Sequence, residues 1–82
     1  MPYIEKSERV RADARPRTPG ELNFAITSLL DRYLTDKGMS YTHVNDCLGA
    51  LEGAKLEFYR RVVAPYEIQK MAQNGDVYTT RP

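Results

Sequence analysis

Charge of one sign, paired cysteines and long apolar runs are all scarce in this chain of 82 residues. Twelve Lys and Arg stand against eleven Asp and Glu, a net charge of +1, so no global field draws the chain toward nucleic acid or an anionic membrane. Any attraction of an anion has to be local. The single Cys47 cannot close an intramolecular disulfide and has too few companions for a structural zinc site, which suits a reducing interior and the role of a small core residue. No stretch approaches the roughly 20 apolar residues that span a bilayer, and "MPYIEKSERVR" is charged from Glu5 onward without the apolar run of a secretory leader. These absences predict a cytoplasmic protein with no membrane partner. A chain this short buries only about 60 to 65% of its unfolded surface, so its core is thin and association with a second copy would thicken it.

What is present is helical punctuation. At "TPGE", Thr18 is placed to cap a helix, Pro19 suits the first helical position, and Glu21 follows the cap by three residues to complete a capping box. Leu22, Ala25, Ile26, Leu29, Leu30, Tyr33 and Leu34 recur at helical spacing, and Lys37 with Gly38 supplies a cationic last turn and a left-handed stop. The spacing predicts helix 1 over residues 18–38. Phe24 projects from the opposite side and hints at a second contact surface.

Ser40 is placed to cap helix 2, over residues 40–73, with an apolar stripe of Val44, Leu48, Leu51, Phe58, Val62 and Tyr66. Lys55 falls in the middle of that stripe, and Leu56 with Val63 forms a smaller strip beside it. A straight helix of this length would run about 50 Å, whereas a compact chain of this size is about 30 Å across. Pro65 lacks a backbone N–H and presses on the carbonyl four residues back, so a kink or break is expected near Ala64. "GALEG", Gly49 to Gly53, has the small-residue spacing of closely approaching helices, a weak signal outside a membrane.

The ends read as extended. Residues 1–17 carry Arg9, Arg11, Arg15 and Arg17 interrupted by Asp13 and Pro16, which predicts an irregular segment with one frayed helical turn at most. In the tail, residues 74–82, Val77 and Tyr78 follow the Asn74-Gly75 turn and could pair with Tyr3 and Ile4 of the opening "MPYI" as a two-stranded clasp. The predicted fold is mainly α, a single small domain over residues 1–82: a helical hairpin whose second helix is kinked or broken at Pro65, with short extended termini.

Catalytic signals are sparse. His43 and Cys47 share a helical face, but a thiol-imidazole nucleophile also needs an orienting group, an oxyanion site and a pocket. With Asp46 they make too small a set for a metal, and Glu52 and Glu57 fall on different faces, so no enzyme, metal or cofactor is expected. The richest stretch is "KLEFYRRVVAPYE". Lys55, Tyr59 and Tyr66 lie on one side with Arg60 and Arg61 on its flanks, combining ammonium and guanidinium donors for an anion with rings on which a base can stack. Ordinary helix pairing accounts for the same residues if Lys55 pairs with Glu52 and Glu57 with Arg60 or Arg61. The N-terminal arginines, interleaved with acids, are too dilute for a nucleic-acid arm, and no helix-turn-helix spacing points to duplex binding.

At "GELNFAITSLL", "VNDCLGALEGAKLEFYRRVVAPYE" and "NGDVY" the chain resembles a family of small uncharacterised proteins of bacteria and their phages. Its members carry a G-x-L-N-Y-x-I-T block, an I-N-D-x-x-G-x-L-E block and a K-L-E-F-Y-R-R-V-V-A-P-Y-E block. Phe24 stands here where the first block has tyrosine. The resemblance implies a relationship without an activity, and its phage setting implies sequestration or inhibition of a host component. Together the readings predict a non-enzymatic, helical homo-oligomer that binds an anionic, nucleotide-like small molecule through Lys55, Tyr59, Arg60, Arg61 and Tyr66. The alternative is an interaction module that occupies a groove on a host protein with Phe24 and the second helix.

Overall fold

The computed structural model describes residues 3–80. A 3-10 turn, Lys6–Glu8, leads into α1 (Arg9–Ala14), and the chain continues through α2 (Pro19–Lys37), α3 (Tyr41–Phe58), a π-helical turn (Tyr59–Val63) and α4 (Ala64–Asn74). The fold is mainly α, with two long helices of which the second is bent at the π turn. Contacts gather these elements into two compact units, Met1–Cys47 and Leu48–Pro82, divided within α3.

In the first unit, the start of α2 follows from its capping chemistry. Thr18 Oγ1 accepts a hydrogen bond from the Glu21 N–H at 3.1 Å, and the Thr18 carbonyl accepts from Leu22 N–H at 2.8 Å. The return arm differs from the expected box: Glu21 Oε1 accepts from the N–H of Arg17, one residue upstream of the cap, at 3.0 Å. The helix stops where Gly38, at φ 97°, donates its N–H to the Leu34 carbonyl at 2.7 Å. Ser40 Oγ then accepts from His43 N–H at 3.2 Å, starting α3 where the sequence places it.

Two sequence expectations are corrected in this unit. Residues 6–14 of the segment expected to be irregular are helical, and α1 packs against α2 with Ala12 fully buried. The covered face of α2 also agrees only in part with the expected one. Glu21 is buried, and Phe24, Ala25 and Ser28 are half-buried on the same side; of the expected stripe, Ala25, Leu30 and Leu34 are half-buried, while Leu22, Ile26, Leu29 and Tyr33 form an exposed row. The Arg9 guanidinium lies over the Phe24 ring at 5.5 Å, and its Nε donates to the Ile4 carbonyl at 3.2 Å. Small Ala12, Ala25 and Ser28 let α1 come close on this side, so the covered face runs from Ala25 of the expected stripe round to Phe24, where a cation lies over the aromatic ring.

In the second unit, Pro65 is the second residue of α4 and the helix bends there without breaking. Phe58, Val63 and Ala64 all keep right-handed helical dihedrals, and the Ala64 N–H reaches five residues back to the Tyr59 carbonyl. The widened turn accommodates the residue that brings no donor and would crowd the preceding turn. Gly75, at φ 89°, donates to the Met71 carbonyl at 2.8 Å and ends α4. Beyond it the expected clasp is not made. Among the described residues there is no strand, and Tyr78 gives its N–H to Asp76 Oδ1 at 3.0 Å, a local turn that removes a donor from any ladder. The parts of the extended termini that fall on residues 1, 2, 81 and 82 lie outside the described residues.

No side chain among residues 48–80 is buried, and only Val63 and Ala64 are half-covered. A Cβ added at Gly49 or Gly53 would meet nothing within 4 Å, so no neighbour approaches that face of α3. Among the described residues no helix is long and apolar enough to cross a membrane.

Candidate functional site

The five residues proposed from sequence lie on α3, the π turn and α4, and each finds its own surroundings. Lys55 is exposed, as is Glu52, and neither takes the other as an ion-pair partner. Arg60 and Arg61 both turn back to Glu57, at 2.7 and 3.6 Å, with side chains 74 and 71% exposed. One carboxylate thus answers two guanidinium groups, as the i,i+3 and i,i+4 spacings allow. Tyr66 lies under the ammonium of Lys70, 5.6 Å from its ring centre.

Tyr59 points elsewhere. Its hydroxyl donates to Glu67 Oε1 at 3.0 Å. Eight residues of regular α-helix would leave these two about 80° apart around the axis, and the slower rotation of a π turn brings them toward one line. The hydrogen bond to the Glu67 carboxylate, followed by that group's negative charge and by desolvation, holds the phenol pKa above its ordinary value of 10.0. Tyr59 also lines an open groove of about 630 Å³ with Ala64, Ile68, Met71, Val77 and Tyr78. Glu67 and this groove were not found from sequence, because the signal that aligns them is the π turn itself and only Pro65 hints at it. The structure therefore does not gather the five residues into one pocket. Arg60 and Arg61 stay together through Glu57, while Lys55, Tyr59 and Tyr66 serve three separate patches.

A second polar cluster closes the turn of the first unit. Tyr33 donates its hydroxyl to Asp46 Oδ2 at 2.7 Å, and the bond to this carboxylate, with desolvation and charge behind it, raises the phenol pKa. His43 Nδ1 donates to the Gly38 carbonyl at 2.8 Å, and its ring meets that of Tyr33 edge-on at 6.4 Å. Cys47 is buried beside this turn in sequence. His43 thereby satisfies a helix-end carbonyl, which is a packing role. No group of three or more His, Cys, Asp or Glu among the described residues is arranged to hold a metal ion.

The second unit also carries an exposed apolar face. Leu48, Leu51, Phe58 and Val62 are 59, 37, 60 and 53% exposed, with Leu56 and Tyr59 beside them. Exposed side chains of this size standing singly are ordinary, whereas here four share one side, with exposed Lys55 between Leu51 and Phe58.

Residues 1–77 match a family described as a domain of unknown function, DUF6899, and the chain belongs to that family. No curated protein and no solved structure matches it.

Proposed function

We propose that the chain is a non-enzymatic helical interaction module that works as a homo-oligomer, with a second copy covering the apolar face of α3. The observation that carries this reading is the absence of any buried side chain among residues 48–80. Most helical stability in proteins comes from tertiary packing of an amphipathic face. A chain of 82 residues has a thin core, and a second copy that covers an exposed apolar face would supply such packing. Charge favours a like partner: between residues 48 and 80, Lys55, Arg60, Arg61 and Lys70 are balanced by Glu52, Glu57, Glu67 and Asp76. A partner of strong single sign would gain little from such a surface, whereas a copy of the same chain meets no net repulsion. The exposed row of Leu22, Ile26, Leu29 and Tyr33 gives the first unit a comparable uncovered face.

Sedimentation equilibrium of the whole chain tests this reading. The expected result is a mass that is a multiple of 9.4 kDa at micromolar concentration. A monomer up to the solubility limit contradicts it.

A second reading rests on the shared Glu57. Two highly exposed guanidinium groups against one carboxylate leave a local excess of positive charge suited to a phosphate or carboxylate. The phage setting implied by the sequence blocks would make a nucleotide-like signal or a host protein the target, with Lys55, Tyr59 and Tyr66 recruited by rearrangement. Calorimetric titration with mono-, di- and cyclic nucleotides distinguishes the two arms: heat that is lost in an Arg60→Ala/Arg61→Ala variant supports an anion site, and silence across the panel removes it.

A further inference from the structure

Within the exposed face of α3, Leu48, Leu51, Lys55 and Phe58 follow one another at intervals of three, four and three residues. That alternation is the seven-residue repeat of a helix-pair seam, in which such positions point at a partner helix. All four lie in regular α-helix ahead of the π turn, and all four are exposed. Lys55 is therefore a charged residue at a seam position, a placement that costs stability and selects register and orientation.

Its charge discriminates between the ways in which two copies could pair. Parallel, in-register pairing sets Lys55 against Lys55 of the other copy within an apolar layer, where like charges repel with little screening. Antiparallel pairing centred at Gly53 is different. Leu51 then shares a layer with the partner's Lys55, and Leu48 shares one with the partner's Phe58. This is the antiparallel register that puts all four positions of both copies into the seam. It also brings a charge to Lys55: Glu52 flanks the seam on the same edge, and the partner's Glu52 lies within about 1.5 Å of the level of Lys55 along the axis. In the single chain Glu52 is exposed and not paired with Lys55, so its carboxylate remains available for this contact. Around the two-fold axis the order becomes lysine, glutamate, glutamate, lysine, a neutral set in which each ammonium has a carboxylate across the interface. The glycines fit the same geometry, since Gly49 and Gly53 lie on the far face of α3 and ask nothing of the seam.

We infer that α3 pairs with α3 of a second copy in antiparallel register about Gly53, with each Lys55 neutralised by the partner's Glu52. This rests on the self-association proposed above and adds its orientation and its selecting residues.

Charge exchange tests it by sedimentation. The parent should associate, Lys55→Glu and Glu52→Lys should each weaken association at least about tenfold, and the double exchange should restore it. Parallel pairing predicts no loss in Lys55→Glu, because one like-charged layer replaces another. Cross-linking gives a readout that survives a poorly folding charge variant. In a Cys47→Ser background, a mixture of Leu48→Cys and Phe58→Cys chains should form a mixed disulfide, and Leu48→Cys alone should form none. A parent that associates while single charge variants are unaffected, or that cross-links through Leu48→Cys alone, overturns this register and leaves the self-association reading standing. A monomeric parent overturns both.

Discussion

Tyr33 and Tyr59 lie in different units, yet each donates its hydroxyl to a carboxylate, to Asp46 and to Glu67. The bond favours the protonated phenol, so both pKa values rise. A group whose folded pKa is raised contributes stability that is intact below its unfolded pKa, about 10, and is lost as pH climbs through the raised value. Tyr33→Phe and Tyr59→Phe should each remove a phenol from the late part of an alkaline titration followed by ultraviolet absorbance. The two exposed ion pairs of Glu57 behave differently. Exposed pairs at these spacings contribute about 0.3 to 0.5 kcal/mol, so Glu57→Ala should change urea stability by less than about 1 kcal/mol in total. A larger loss would mean that Glu57 holds the arginines in a structural role. This pairing was legible in the sequence, since three- and four-residue separations bring charges together on any regular helix. The bond from Tyr59 to Glu67 was not, because counting at a fixed rotation fails once the helix widens.

Among the elements, the boundaries of α2 and α3 were written locally, in Thr18, Gly38 and Ser40, and the structure uses each of them. Thr18→Ala should cost the first unit about 1 kcal/mol in urea unfolding, with association unchanged. The covered side of α2 was legible only in part, through Ala25, Leu30 and Leu34. Its apolar periodicity identifies a face able to be buried, whereas the side that is covered depends on α1, whose arginine-rich sequence carries little apolar signal. Phe24 and Ala25 were the residues that pointed to that side. At Pro65 the sequence predicted the disturbance and left its form open, and the π turn resolves it by spending one residue rather than ending the helix. Pro65→Ala restores a donor for the Arg61 carbonyl and removes the steric reason for the wide turn. The expected outcome is a regular helix in which Glu67 swings away from Tyr59, read by nuclear magnetic resonance as a return of the Tyr59 pKa toward its ordinary value. A Tyr59 pKa that stays raised would show that the π turn has another cause.

For the whole molecule, the question posed by Lys55 has a geometric answer. An ammonium in an apolar row is tolerable in the single chain because the row itself faces water. It becomes a selecting element only when a second helix covers the row. In the proposed pair the same covering would supply residues 48–58 with the packing that they lack within one chain. Helix formation over these residues should therefore depend on protein concentration, while α1 and α2 retain their mutual contact. Amide hydrogen exchange as a function of concentration measures this most directly. Protection across residues 48–58 should rise steeply over the range in which sedimentation shows association, and should be slight in the dilute monomer. Full protection of that segment at concentrations where the chain is monomeric would contradict the account.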